Sequence, residues 1–257
     1  MSSTSTKSVI ASLKIACHAC SLRELCLPVG LAEEDLRRLD EAVKRRRPVR
    51  KGEFLYRAGD PLHAIYAVRR GTLKTTALLE DGREHITGFY LPGELLGFDA
   101  INDDRHPCDA EAVENSEVCE LPFAKLEELA QAIPGLQHQL FRIMSREIVR
   151  DSEQLALLGH MTAEERLAAC LLDFSRRREQ LGLSASDLSL AMSRQDLGHY
   201  LGLALETVSR LLSRFQADGL IALRGRSLRI LDFERLQALA GMCSPRPGAR
   251  RQGQAPA

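Results

Sequence analysis

The sequence lacks an excess of charge of either sign. Its 257 residues contain 35 Lys and Arg and 35 Asp and Glu, so the formal net charge is zero. A uniformly basic surface for nucleic acid is therefore excluded, and any such surface must come from local clustering of basic residues.

Long apolar segments are also missing. The apolar run before Ala16 is too short for a secretory signal, and no later stretch reaches the roughly 20 residues that cross a bilayer. We therefore expect a cytoplasmic protein with no membrane partner. Thiols stay reduced in the cytoplasm, so the seven cysteines are expected to be core residues or metal ligands rather than disulfides.

Signatures of catalysis are absent as well. The sequence contains no nucleophile elbow, phosphate loop or metalloprotease motif, so we expect a protein that is not an enzyme. The length permits two modest domains, because hydrophobic cores are usually built in units of roughly 100 to 150 residues. A sensor joined to an effector fits this length.

Glycines alternate with short apolar runs between Pro48 and Pro122. This texture is typical of short strands joined by tight turns, and Asp81-Gly82 is a hairpin-turn signal. The pattern predicts an antiparallel β-roll or barrel. Before it, the acidic and amphipathic stretch from Ala32 to Arg46 is predicted to be helical.

A long helical pattern follows Pro134-Gly135. Its apolar residues recur at steps of three and four or their multiples: Leu136, Leu140, Ile143, Ile148, Leu155 and Leu158. The pattern predicts a helix of roughly six turns that ends near Gly159. Thr162 and Glu165 form a capping-box signal for the next helix, which makes this break the predicted domain boundary.

Two short helices separated by a turn are predicted between Ser193 and Gly219. Ser193 and Asp196 are typical of a helix start, and the turn follows at Gly202. One face of the second helix is apolar, and the opposite face carries three polar residues: Glu206, Ser209 and Arg210. Arg matches guanine in the major groove, Glu accepts from cytosine, and Ser serves either role.

A basic hairpin follows the second helix. Two apolar runs flank Arg224-Gly225-Arg226-Ser227, whose arginines could contact a phosphate backbone, as the wing of a winged helix does. The alternative is that the three polar residues are only the solvated face of an amphipathic helix. The turn, the cap, the apolar stripe and the basic wing occur together and in order, which favours DNA binding.

The first cysteines form a C-x2-C-x5-C pattern at Cys17, Cys20 and Cys26. Three thiolates hold a metal centre only with a fourth ligand, for which four candidates exist: Cys108, Cys119, Cys170 and Cys243. The spacing alone leaves zinc, an iron–sulfur cluster and ordinary buried cysteines as alternatives.

Two segments carry a family resemblance. Residues 206–215, ETVSRLLSRF, resemble the recognition helix of the FNR branch of the CRP/FNR transcription regulators, and residues 17–28, CHACSLRELCLP, resemble its cluster-binding arm. The resemblance extends from about Cys17 to Gly241. It implies an α+β fold with a cysteine arm, a cyclic-nucleotide-binding-like β-roll, a dimerisation helix, a winged helix-turn-helix and a disordered tail. The corresponding ranges are 1–30, 31–134, 135–159, 160–241 and 242–257.

The resemblance also implies the sensor and its ligands. It assigns four ligands of an oxygen-labile [4Fe-4S] cluster: Cys17, Cys20, Cys26 and Cys119. The remaining cysteines match no ligand position and are expected to be ordinary thiols: Cys108, Cys170 and Cys243.

The partners follow from the same resemblance. A homodimer is expected to bind double-stranded promoter DNA at inverted TTGA-type half-sites through Glu206, Ser209 and Arg210, and so to control anaerobic gene expression. Gly82 and Arg83 match a surface that contacts RNA polymerase.

One acidic residue interrupts the apolar face of the long helix. Ile148, Asp151 and Leu155 share that face, so two Asp151 carboxylates would approach each other if the helix paired with its symmetry mate. The resemblance matches Ile148 and Asp151 to an oxygen-dependent dimer contact. The alternative is that Asp151 faces water beside Arg150 or Arg146.

Two other segments bear on whether the roll binds a small ligand. Gly93 to Gly97 resemble the opening of a cyclic-nucleotide phosphate cassette, but residues 105–110, RHPCDA, stand where the nucleotide-binding branch has an Arg-Ser pair. Pro107 and Asp109 are unfavourable to an anion, which makes ligand binding in the roll doubtful. A zinc-stabilised or small-ligand-responsive regulator of the same family is therefore the alternative function.

Overall fold

The computed structural model describes residue 17 and residues 20–43, 45–78 and 82–241. Cys243, Asp81 and the predicted tail at 242–257 lie outside these residues. The described residues divide into two compact units, with boundaries after Thr75, Gly88 and Arg146.

Eight short strands lie between Arg45 and Pro122. Their bounds are β1 Arg45–Val49, β2 Phe54–Tyr56, β3 Ala64–Arg70, β4 Leu73–Leu78, β5 Glu84–Tyr90, β6 Leu95–Leu96, β7 Asp109–Ala112 and β8 Ser116–Pro122. They form two four-stranded sheets, with strand orders β1-β8-β3-β6 and β2-β7-β4-β5. The predicted antiparallel roll is confirmed.

The buried sides of these strands make the core of the roll. Alternate residues of a strand point to opposite faces, and in β4 Leu73 and Thr75 are buried whereas their neighbours are less so. The core includes Val49, Val68 and Val118. β8 pairs with both β1 and β3, so Cys119 lies opposite Arg46 on one side and Ala67 on the other.

Helices flank the roll on both sides in the sequence. α1 spans Glu33–Ala42, α2 spans Phe123–Ala132 and α3 spans Pro134–His160. The prediction of helix as far as Arg46 is wrong, because Arg45 already belongs to β1. Pairing with β8 explains the change, because Arg45 and Arg46 lie opposite Glu120 and Cys119 in the sheet.

α3 is longer than the sequence pattern predicted. It has 27 residues, about seven turns. Its buried residues are Leu136, Gln139 and Ile143. Among the described residues, no helix combines the length and the apolar character that crossing a membrane requires.

The second unit contains the predicted helix-turn-helix and wing. Its elements are α4 Ala163–Gln180, β9 Asp187–Ser189, α5 Arg194–Leu201, α6 Leu205–Ala217, β10 Ile221–Arg224, β11 Ser227–Ile230 and α7 Phe233–Leu239. Capping boxes at Thr162 and Ser193 start α4 and α5, as predicted. The wing has a third strand, because β9 pairs with β11. The sequence pattern did not predict β9 or α7.

Candidate metal centre and nucleic-acid interface

Four cysteines line one cavity in the first unit. They are the four predicted ligands: Cys17, Cys20, Cys26 and Cys119. Most of the other lining side chains are apolar, including Leu22, Leu27, Ile65 and Leu95. Among the described residues, no three His, Cys, Asp or Glu side chains lie close enough to hold a single metal ion.

Tight turns bring the arm cysteines to the cavity. The Cys20 N–H donates to the Cys17 carbonyl at 3.1 Å, and the Cys26 N–H donates to the Leu22 carbonyl at 3.1 Å. Leu27 then anchors the arm, since it is 5% exposed and belongs to the apolar core. The fourth cysteine, Cys119, reaches the cavity from β8.

Asp40 on α1 fixes the start of the arm. Its carboxylate accepts a hydrogen bond from the backbone N–H of Cys17. Burial raises the pKa of the Cys17 thiol well above its usual range, and the hydrogen bond and charge of Asp40 raise it further. Cys17 is thus a neutral thiol in the metal-free chain.

Cys26 is neutral for a similar reason. Burial raises the pKa of the Cys26 thiol to about 12, against a smaller lowering by a backbone hydrogen bond at Leu27. A metal binds thiolate, so loading this site displaces protons. The metal–sulfur bonds must therefore offset the cost of deprotonating these half-buried thiols.

Two further cysteines lie elsewhere. Cys108 is buried in the roll, where its Sγ donates to the Asp99 carboxylate at 3.0 Å. Cys170 is buried in α4. Burial raises the pKa of both thiols, and the Asp99 charge adds to the effect at Cys108. Neither residue lines the cavity of the four cysteines.

The roll interior is filled by an aromatic stack. The ring centroids of Tyr56 and His106 lie 3.6 Å apart, and the two ring planes make an angle of 12°. His106 is 3% exposed, and its Nδ1 lies 3.7 Å from an oxygen of Asp99. Arg105 donates to the Gly59 carbonyl at 2.6 Å. The Tyr56 hydroxyl and His106 Nδ1 are nevertheless buried without a hydrogen-bond partner among the described residues.

The predicted base-reading residues share one outward face of α6. Glu206 and Arg210 are exposed, and Ser209 is half-buried. The opposite face is buried at four positions: Val208, Leu211, Leu212 and Phe215. α5 supports this face, because the Arg194 guanidinium lies 3.4 Å from the Ser209 hydroxyl, to which it donates.

The wing carries exposed arginines at its turn. Arg224 and Arg226 are exposed on either side of Gly225. The strands behind them are joined by an ion pair of Arg229 and Asp187 at 2.6 Å. The hydrogen bond from Arg229 and a second from Ser184 hold the pKa of the Asp187 carboxyl below its usual range. The wing is thereby pinned at its base.

The wing is also tied to α6. The Leu223 N–H donates to the side-chain carbonyl of Gln216 at 2.9 Å. The recognition helix and the basic turn are thus held together within one unit, which allows both to meet the same duplex.

The predicted dimer residues lie on an exposed face of α3. Ile148 is 66% exposed and Leu155 is 71% exposed. Asp151, between them, is also exposed. Gly82 and Arg83 are exposed just before β5.

The sequence did not predict two residues whose side chains hydrogen-bond to the backbone of predicted ligands, Asp40 to Cys17 and Gln139 to Cys26. Asp40 is one of several acidic residues of α1, and no pattern distinguishes it from the others. Gln139 did leave a signal, since it lies between Leu136 and Ile143 on the apolar face of the long helix. A polar residue on such a face indicates a buried hydrogen bond.

Comparisons with known proteins agree with this arrangement. A cyclic nucleotide-binding domain model matches residues 46–132, and a Crp-like helix-turn-helix domain model matches residues 165–239. The transcriptional activator protein anr of Pseudomonas aeruginosa is 50% identical over 225 residues, which cover 88% of this chain and 92% of that protein. The fumarate and nitrate reduction regulatory protein of Escherichia coli is 46% identical over 227 residues, covering 88% and 91%.

A solved structure shares the fold. FixK2 from Bradyrhizobium japonicum superposes with a TM-score of 0.71 at 34% sequence identity, over 76% of this chain and 96% of that one. Its likeness covers most of the described residues. The roll, the long helix and the helix-turn-helix are thus an architecture that this chain shares with a relative.

Proposed function

The chain belongs to the FNR branch of the CRP/FNR family of transcription regulators, and we propose that it is an oxygen-responsive, DNA-binding regulator of anaerobic gene expression. The cavity that four cysteines line carries this proposal. Three of them come from the arm and the fourth from a strand far along the chain. A shared cavity would allow thiols so distant in the sequence to bind one common ligand.

The donor set suits a [4Fe-4S] cluster held by Cys17, Cys20, Cys26 and Cys119. Iron–sulfur clusters of this kind are held by four cysteine thiolates, and these four cysteines line one cavity. When bound, the cluster would supply the reactivity toward oxygen that the proposed sensor requires. The apolar lining residues Leu27, Ile65 and Leu95 limit the access of water to the thiols.

The output is sequence-specific binding by a homodimer. We propose that two α3 helices pair along the face of Ile148 and Asp151, and that the two α6 helices then meet inverted TTGA-type half-sites. Arg210 reads guanine, Glu206 accepts from cytosine, and Ser209 assists. The wing arginines contact phosphate and strengthen binding at any sequence.

The remaining assignments follow the family. Gly82 and Arg83, exposed beside β5, form the proposed contact with RNA polymerase. The proposed domains are 1–30, 31–134, 135–159, 160–241 and a tail at 242–257. The boundary after Arg146 between the two compact units falls inside the proposed dimerisation helix.

The test is metal analysis of the chain purified without oxygen. We expect roughly four irons and four acid-labile sulfides per chain, with a visible spectrum that bleaches in air. Binding to a duplex with inverted TTGA half-sites should be lost with the colour. Stoichiometric zinc, or no metal, would overturn the oxygen sensor and leave a regulator with a different signal.

A further inference from the structure

A buried glutamine on α3 contacts the backbone of a predicted cluster ligand. Gln139 is 5% exposed, and its Nε2 donates to the main-chain carbonyl of Cys26 at 3.4 Å. Burying a primary amide costs free energy unless it is hydrogen-bonded. The position of the Cys26 carbonyl therefore decides whether the buried amide of Gln139 has this hydrogen-bond acceptor.

Apolar packing joins the arm to the same helix. Leu27, the residue after Cys26, belongs to the same buried core as Leu136 and Ile143 of α3. The Cys26 carbonyl also accepts from the Val29 N–H at 3.4 Å, which restricts its direction. A shift of Cys26 thus strains contacts on α3 and within the arm together.

An open groove lies beside this contact. It has a volume of about 530 Å³ and is lined by Leu25 and Val29 from the arm and by residues of α3 that include Phe141. Phe141 is 56% exposed. It lies one heptad before Ile148 and two before Leu155, so all three share a helix face. The arm therefore packs beside Phe141, the residue with which this helix face begins.

We propose that Gln139 is the positioning residue through which occupancy of the cysteine site is coupled to the pairing of α3 with its symmetry mate. This inference rests on the proposed function. Ligation at Cys26 restricts the carbonyl to which Gln139 donates, and the bond then holds α3 and the arm in one arrangement. An interaction that is stronger in one state than in the other shifts the equilibrium by the difference in its free energy between the two states.

The test is a thermodynamic cycle measured by analytical ultracentrifugation. The dimer dissociation constant of the full chain is determined anaerobically with and without cluster, and the ratio of the two is the coupling factor. In Gln139→Leu we expect this factor to fall by roughly twofold to tenfold, the range that one hydrogen bond contributes. Iron content per chain should remain that of the wild type.

Gln131→Leu is the matched control. Gln131 is exposed on α2 and does not belong to the proposed dimer face of α3, so the same chemical change there should leave the coupling factor unaltered. A second readout is hydrogen exchange in residues 22–29 of the metal-free chain, which should quicken in Gln139→Leu only. Gln139→Glu, nearly isosteric but without the amide donor, provides the same cycle if the leucine variant does not fold.

The outcomes separate the two proposals. A purely structural Gln139 would weaken the dimer equally with and without cluster, so an unchanged factor in both Gln139 variants would overturn the inference. A wild-type factor of one would instead overturn the proposed cluster-dependent dimerisation. A reduced factor in Gln139→Leu with a normal factor in Gln131→Leu would support both.

Discussion

The cysteines of this chain differ in what surrounds each thiol group. Cys119 faces a cavity that it shares with three other thiols, whereas Cys108 donates its S–H to the carboxylate of Asp99. A cluster needs several thiolates around one space, and Cys108 does not line the cavity that the four predicted ligands share. Two cysteines of the same roll are thus expected to behave differently on substitution.

Replacing Cys119 should remove the cluster. Cys119→Ser is expected to lower iron from roughly four atoms per chain to well below one, because one of four thiolates is lost. Cys108→Ser is the matched control and should keep wild-type iron and visible colour. Elemental analysis of anaerobic samples, with circular dichroism to confirm folding, checks both variants. Full iron in folded Cys119→Ser would contradict the ligand assignment.

Two arginines of the second unit should contribute differently to DNA binding, Arg210 to sequence preference and Arg226 to affinity for any sequence. Arg210→Ala is expected to lose about 1 to 3 kcal/mol on a TTGA-type site and to relax preference at its base pair. Arg226→Ala, at the turn of the wing, should weaken all sequences alike and reduce the salt slope by about one. Fluorescence anisotropy on matched and altered duplexes over a salt series measures both. Equal losses on every duplex for Arg210→Ala would argue against base reading.

The helix starts and the turn could be predicted from the sequence because each depends on a few neighbouring residues. The capping boxes at Thr162 and Ser193 and the turn at Gly202 were predictable, because caps and turns depend on a few adjacent residues. β9 was not predictable, since its three residues exist as a strand only by pairing with β11. The end of α1 was missed because pairing with β8 competes with helix at Arg45.

The cysteine site shows the same limit. The arm could be recognised from its spacing and its family resemblance, but spacing alone did not select Cys119 among the later cysteines. That selection depends on the register of β8 between β1 and β3, which is a property of the folded sheet. The roles of Asp40 and Gln139 likewise depend on contacts between residues distant in the sequence.

The turn between α5 and α6 depends on a close backbone approach at Gly198. A Cβ there would lie 2.6 Å from the Leu203 carbonyl oxygen. Gly198→Ala is therefore expected to destabilise the second unit by about 1 to 3 kcal/mol and to weaken DNA binding. Chemical denaturation followed by circular dichroism measures the change.

Gly219→Ala is the comparison for that variant. A Cβ at Gly219 meets nothing within 4 Å, although the φ of +72° is unfavourable for alanine. Only the cost of this backbone conformation, of order 1 kcal/mol, should appear. A smaller loss in Gly198→Ala than in Gly219→Ala would show that the α5–α6 turn can open without cost.

For the whole molecule, α3 carries a surface that a monomer would leave in water. Phe141, Ile148 and Leu155 are each more than half exposed, at 56%, 66% and 71%, and they recur every seven residues. This repeat is typical of helices that pair side by side. Burying the stripe against a second copy favours association, and the carboxylate of Asp151 within the stripe opposes it.

Removing the Asp151 carboxylate should allow the chain to dimerise without the cluster. Asp151→Ala is expected to tighten the metal-free dimer by at least roughly tenfold, because like charges brought together at an interface cost several kcal/mol. Glu153→Ala removes a charge from an exposed position off the stripe and should leave the metal-free chain as it is in the wild type. Sedimentation velocity over a concentration series distinguishes the species. If metal-free Asp151→Ala still sediments as a monomer, electrostatic repulsion at Asp151 does not set the equilibrium, and the apolar stripe alone is too weak to pair two chains.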